Sequence, residues 1–324
     1  MNAENPDFSK QNPDSILPLV FYASQENENL KYWISNNKPV IEQMLAKHGG
    51  ILFRGFEVNS IDAFNDLMTC YNSEIIPYMF RSSPRYALAD RVYVSTTHPN
   101  SREIKMHSEQ SYSFAWGKKI LFCCVTEPEQ NGETPIADNR KVLNHLSPEL
   151  VKKFEELGVL YQRNLSSEIG MSVKEVFQMS DNEEIKQYCI ENHINIEFSS
   201  DEDAVIRWKR PAIVFHPVTN EKIWFNHAYF FNKYSILEEI GIPYDDDSLD
   251  DVLASNTFFG DGSEISYEEY QQMVGAYESE KVIFTWKEGD VLFLDNMLTA
   301  HGRSPYRGDR KIVVSIIEPY NGIE

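Results

Sequence analysis

Between residues 29 and 48 the apolar positions Leu30, Trp33, Ile34, Val40, Ile41, Met44 and Leu45 recur at helical spacing, interrupted near Pro39, and Gly49-Gly50 closes the segment. Ile51-Leu52-Phe53-Arg54-Gly55-Phe56 then reads as a buried strand. Ser60 is placed to cap a helix beginning Ile61-Asp62-Ala63. The unbroken run Ile120-Leu121-Phe122-Cys123-Cys124-Val125 reads as a strand covered on both faces. Ser147-Pro148-Glu149-Leu150 opens a helix with Ser147 at the cap and Pro148 at the first helical position. Residues 165–203 are polar with a helical pattern and read as an insertion, a candidate lid. Residues 211–231, 281–295 and 310–318 are strand-like and separated by turn residues. Residues 1–16, polar and proline-bearing, read as a loose arm. The pattern predicts a single α+β domain over residues 1–324, its strands forming an antiparallel barrel or jelly roll with flanking helices.

Composition narrows the function classes. A chain of 324 residues, 42% hydrophobic and 13% aromatic, has ample material for a large core. The net charge of −20, with no basic run to offset it, repels a phosphate backbone and argues against nucleic-acid binding. Cys70, Cys123, Cys124 and Cys189 show neither a CxxC nor a zinc-knuckle spacing, which favours reduced thiols and a cytoplasmic setting. The polar N-terminus lacks an apolar signal region. No stretch approaches the roughly 18 apolar residues of a membrane span, so a soluble protein is expected.

The candidate chemistry lies in His107 and Glu109, within Met106-His107-Ser108-Glu109-Gln110, and in His301, within Thr299-Ala300-His301-Gly302-Arg303. Two imidazoles and one carboxylate form the ligand set of a non-haem Fe(II) site with open positions. On an extended strand, residues i and i+2 project to one side, so His107 and Glu109 could share a metal that a distant strand completes. The spacing alone is weak: with eight His and 50 acidic residues, such a pair arises about once per chain by chance. Downstream context adds weight. Residues 301–312 read as a hairpin turning at Tyr306-Arg307, which sets Arg303 opposite Arg310 and His301 opposite Ile312. If His301 points inward, both arginines do so too, and an interior guanidinium calls for an anion such as the distal carboxylate of 2-oxoglutarate. The alternative is a solvated edge with both arginines outward.

Five segments in order carry a resemblance: His107-Ser108-Glu109-Gln110-Ser111-Tyr112-Ser113, Asn131-Gly132-Glu133-Thr134-Pro135-Ile136-Ala137-Asp138, Trp224-Phe225-Asn226-His227-Ala228-Tyr229-Phe230, Phe259-Gly260-Asp261-Gly262 and Asp295-Asn296-Met297-Leu298-Thr299-Ala300-His301-Gly302-Arg303. Over roughly residues 45–320 the chain resembles taurine dioxygenase-like Fe(II)/2-oxoglutarate-dependent oxygenases. The nearest branch resembles the syringomycin aspartyl hydroxylase of nonribosomal peptide pathways. The resemblance implies a double-stranded β-helix (jelly-roll) core, with Fe(II) held by His107, Glu109 and His301. It also implies Arg310 on the distal carboxylate of 2-oxoglutarate, Thr134 as its hydroxyl partner, and O2 as the oxidant. It implies hydroxylation of an amino acid or amino-acid-derived substrate, free or bound to a peptidyl carrier protein, with succinate as co-product. Glu109 argues against a halogenase, which needs a small residue there. Tyr112, Trp224, Asn226, His227 and Arg303 adjoin the ligand motifs and are candidate substrate contacts, as are Arg207 and Arg210 around Trp208. Asn226 and His227 read equally as a buried structural pair, and the two flanking arginines as exposed. A taurine-type sulfonate dioxygenase and a non-catalytic metal-binding protein stay open as alternatives, as does a homo-oligomer.

Overall fold

The computed structural model describes residues 17–71, 80, 86–96, 98–243 and 253–322. The expected arm at 1–16 lies outside them. Helices and sheets are interleaved along the chain. The largest sheet has seven strands in the order Leu19–Tyr22, Gly50–Arg54, Val291–Asp295, Ala115–Thr126, Lys311–Asn321, Val92–Val94 and Ala87–Ala89. A three-stranded sheet sets Thr299–Arg303 between Ile104–His107 and Ile136–Asp138. A four-stranded sheet joins Asn195–Phe198, Ala204–Arg210, Val159–Leu165 and Ser255–Phe259.

The doubly covered strand is explained by alternation. Leu121 and Cys123 pack with Ile34, Leu45, Phe53 and Phe64 beneath the helices Leu30–His48 and Ile61–Met68. Ile120, Phe122 and Cys124 face the other way, against Ile136, Trp286, Leu292, Leu294, Ile312 and Val314. Successive side chains of one strand thus bury themselves in two different cores. The expected caps are present. Ser60 accepts from the Ala63 amide and Ser147 from the Leu150 amide, and Gly49 ends its helix at φ 78°, a conformation glycine adopts without strain.

Three expectations are corrected. The helix Leu30–His48 runs through Pro39 without a break. Leu30, Ile34, Ile41 and Leu45 anchor its buried face, and that packing outweighs the roughly 3 kcal/mol of an interior proline. The strand-like stretches 211–231 and 281–295 are only partly strand: Ile213–Phe215 pairs with Lys222–Trp224, and regular pairing resumes at Val291. The hairpin over 301–312 does not form. His301 pairs with His107 on one side and Ile136 on the other, while Ile312 pairs with Cys124 in the seven-stranded sheet. Both edges of the Thr299–Arg303 strand are therefore occupied by distant segments, and Tyr306–Arg307 pairs with Gln130–Asn131 instead.

Residues 165–203 contribute the helices Val173–Phe177 and Asn182–Glu191 and the strand Asn195–Phe198. Val176, Phe177, Ile185 and Cys189 are buried in the core of the four-stranded sheet. No helix among the described residues is long and apolar enough to cross a membrane. All four cysteines are free thiols.

Candidate active site

His107 ends the strand Ile104–His107, directly opposite His301 in the ladder, with ring centroids 4.7 Å apart. Glu109 is not on that strand. It lies in the turn that follows, where Gln110 adopts a φ of 57°. Glu109 is therefore held beside His107 by a clamp and not by the same-face geometry of a continuous strand. Asn296, fully buried, accepts the Glu109 amide at 2.7 Å and donates through Nδ2 to the carbonyls of Glu109 at 2.9 Å and Gly117 at 2.8 Å. Both peptide groups flanking the Glu109 Cα are thereby held. The result is a set of three ligand-type atoms, from His107, Glu109 and His301, all within 4.8 Å of one another.

The imidazole orientation is set locally. His107 Nδ1 lies 2.9 Å from the Lys105 carbonyl, so that nitrogen carries the proton and Nε2 keeps its lone pair. Two imidazole nitrogens and one carboxylate at this spacing fit a ferrous ion bound on one face, with further positions open. All three side chains line a cavity of about 830 Å³.

Thr134 and Arg310 line the same cavity. Thr134 Oγ1 accepts from Trp286 Nε1 at 3.1 Å. Arg310 donates from Nε to the Gly132 carbonyl at 2.8 Å and stacks 5.4 Å from the Tyr306 ring centre. Burial, reinforced by nearby Arg303, pushes the Arg310 guanidinium down to about 10. Arg303 also faces the cavity, but its terminal nitrogens donate to the carbonyls of His98 at 2.8 Å and of Pro99 and Arg102 at 2.6 Å each. Those bonds tie its terminal nitrogens to the 98–102 loop, while its buried Nε has no hydrogen-bond partner. Arg102 is ion-paired with Glu239 at 2.7 Å and Lys105 with Glu238 at 2.5 Å. Among the described cavity residues, Arg310 is the cation matched by neither a carboxylate nor a set of carbonyls.

His227 lines the cavity, with Nδ1 2.7 Å from Ser111 Oγ. Burial, then the neighbouring His107, hold its pKa well below the usual imidazole value, so it is neutral near pH 7. The other expected substrate contacts are not in the cavity wall. Tyr112 is in the core, its hydroxyl donating to the Phe80 carbonyl at 3.0 Å. Asn226 bridges main chain, donating to the Ala212 carbonyl and accepting from the Ala228 amide, each at 2.8 Å. Trp224 packs edge-on to Phe154. Arg207 pairs with Glu197 at 3.1 Å on the four-stranded sheet, and Arg210 is buried over the Phe114 ring at 4.7 Å. These residues adjoin the motifs in sequence, but strand alternation and turns send their side chains elsewhere. Sequence reasoning gave no role to Asn296, Trp286 or Lys105, which act through main-chain and second-partner contacts. Phe230, whose ring packs tilted against His107 with centroids 4.6 Å apart, is legible in the sequence only as part of an apolar run.

The family described as taurine catabolism dioxygenase TauD, TfdA family matches residues 15–316. The dapdiamide synthesis protein DdaC of Enterobacter agglomerans is 33% identical over 287 residues, covering 86% of this chain and 85% of that protein. A clavaminate synthase-like protein of Arabidopsis thaliana is 31% identical over 293 residues, covering 87% and 86%. Among solved structures, the PvcB protein from Pseudomonas aeruginosa superposes with a TM-score of 0.54 at 13% identity, covering 95% of this chain and 88% of that one, a likeness of fold. The chain belongs to the taurine catabolism dioxygenase TauD, TfdA family and is an Fe(II)/2-oxoglutarate-dependent dioxygenase, using Fe(II), 2-oxoglutarate and O2.

Proposed function

We propose that the protein hydroxylates an unactivated C–H bond of an amino acid or amino-acid-derived substrate, free or tethered to a peptidyl carrier protein, in cytoplasmic biosynthesis of a specialised metabolite. The observation that carries this reading is one cavity holding the His107, Glu109 and His301 donors together with Arg310, the one cation among the described cavity residues matched by neither a carboxylate nor a set of carbonyls. The dapdiamide synthesis relative supports the biosynthetic setting. In this reading the seven- and three-stranded sheets are the two walls of a double-stranded β-helix, and residues 165–203 act as a lid, supported by Ile169 lining the cavity.

When bound, Fe(II) with 2-oxoglutarate and O2 supplies the oxidising chemistry. His107 Nε2, His301 and the Glu109 carboxylate hold the ion. The Lys105 carbonyl fixes the His107 tautomer and Asn296 fixes the Glu109 main chain. Arg310 grips the distal carboxylate of 2-oxoglutarate, with the Thr134 hydroxyl beside it. Ile120, Phe122, Ile312 and Val314 give that co-substrate an apolar channel which excludes water. Phe230 and Phe231 confine the substrate near His107. Glu109 fills the position a halide would need, which favours hydroxylation over halogenation.

Aerobic incubation with Fe(II), 2-oxoglutarate and a panel of free and carrier-bound amino acids should release succinate above the no-iron control. Rapid turnover of taurine with silence towards every amino acid would overturn the assignment.

A further inference from the structure

Beyond the triad and Arg310, the cavity wall carries a second polar cluster. Lys105 Nζ donates to Glu238 Oε2 at 2.5 Å and to the Tyr270 hydroxyl at 2.7 Å. The Tyr270 hydroxyl in turn donates to Glu238 Oε2 at 2.8 Å, and Gln271 Nε2 to Glu238 Oε1 at 3.2 Å. The rings of Tyr229 and Tyr270 each lie 5.5 Å from Lys105 Nζ. Lys105 and Glu238 both line the cavity, with only 20% and 26% of their side chains exposed.

We propose that Lys105 and Glu238, held in place from behind by the buried Tyr270 hydroxyl, form the subsite for an α-amino-acid head group: a free amino group set against Glu238 and the adjoining carbonyl or carboxylate oxygen set against Lys105. This rests on the oxygenase reading above and names the part of the substrate that the protein reads.

The pairing makes the case. The cluster is electrically neutral but strongly dipolar. A lone anion would meet Lys105 only by approaching Glu238, and a lone cation the reverse. A group with a donor and an acceptor on one carbon satisfies both at once. Capacity remains for it. An ammonium has three donors, of which two are directed at Glu238 and Tyr270. A carboxylate offers about four acceptor sites, and Glu238 fills three. The hydrogen bonds to Tyr270 and the two ring faces hold the cluster rigid before a ligand arrives, which lowers the ordering cost of binding.

Lys105 and His107 stand two residues apart on one strand, so their side chains share a face roughly 7 Å apart along it, which puts the subsite on the same cavity wall as the triad.

The test compares KM values for succinate release with free amino acids and their N-acetyl derivatives. In the wild-type protein, acetylating an accepted amino acid should raise KM by about tenfold or more, the loss of one charge-assisted hydrogen bond. E238Q should bring the free and acetylated forms within about threefold of each other, because the charge that distinguishes them is gone. K105M should raise KM for both forms alike. Y270F keeps the ring and should narrow the same ratio in part, so it serves if thermal melting shows E238Q unfolded. A wild-type ratio near one, or an E238Q or Y270F ratio equal to wild type, overturns the subsite and leaves the oxygenase reading intact. If no amino acid in either form stimulates succinate release, the amino-acid reading itself falls.

Discussion

Replacing Arg310 by Met separates a ligand-binding arginine from a structural one. In the ligand-free protein, Arg310 is buried, donates one hydrogen bond to the Gly132 carbonyl, and has its guanidinium pushed down to about 10 by burial. Its charge is therefore poorly compensated until an anion arrives. A buried guanidinium–carboxylate contact, once formed, costs about 3–5 kcal/mol to break from one side. At about 1.4 kcal/mol per decade, Arg310→Met should weaken 2-oxoglutarate binding at least ~100-fold. The same substitution removes an uncompensated buried charge, so the melting temperature of the ligand-free protein should hold or rise. Anaerobic calorimetry of 2-oxoglutarate against the Fe(II)-loaded protein measures the first effect. The stabilisation that 2-oxoglutarate confers in a thermal melt measures it again by linkage. Unchanged affinity, or a melting temperature that falls in the ligand-free state with affinity intact, would refute the assignment and make Arg310 a framework residue.

Asn296→Ala removes three buried hydrogen bonds around Glu109 and should cost about 2–4 kcal/mol of stability together with about a 10–100-fold loss of iron affinity, read by denaturant melts and metal titration. Gly302→Ala would set a Cβ 2.6 Å from the Ile104 carbonyl, so the His301 strand must shift; a loss of about 1–3 kcal/mol in unfolding free energy is expected, and an unchanged melt would contradict the pairing with Ile104–His107. Burial pushes the thiols of Cys123, Cys124 and Cys189 up, the latter two to about 12, so alkylation of the native protein at pH 8 should spare all three and react only at half-buried Cys70, as peptide mass mapping would show.

Local signals were legible wherever a single residue type answers a local demand. Ser60 and Ser147 had helix amides to satisfy, Gly49 a left-handed turn, and Ile120–Val125 two cores to fill. The three ligand-type residues were legible because their chemistry is unusual in combination. Strand partners were not. The turn residues at Tyr306-Arg307 satisfy a hairpin pattern, yet the Thr299–Arg303 strand finds lower free energy between Ile104–His107 and Ile136–Asp138, and sequence spacing cannot express that competition. Both arginines still reach the cavity, Arg303 from the strand Thr299–Arg303 and Arg310 from the segment just before the strand Lys311–Asn321, rather than as cross-strand neighbours. Adjacency misled for Tyr112, Asn226, Arg207 and Arg210, because a side chain next to a motif residue points to the opposite face of a strand or away around a turn. Pro39 was read as a break because the cost of an interior proline is local, while the packing that offsets it spans the whole helix.

We propose that His107, Glu109 and His301 together hold one ferrous ion. Anaerobic Fe(II) titration of the wild type, His107→Ala and His301→Ala, with succinate yield measured on the same samples after admitting O2, tests it most directly. One tightly bound iron per wild-type chain is expected, with binding and succinate formation lost together in both variants. Iron retained at one per chain, with near-normal succinate in either variant, would contradict it.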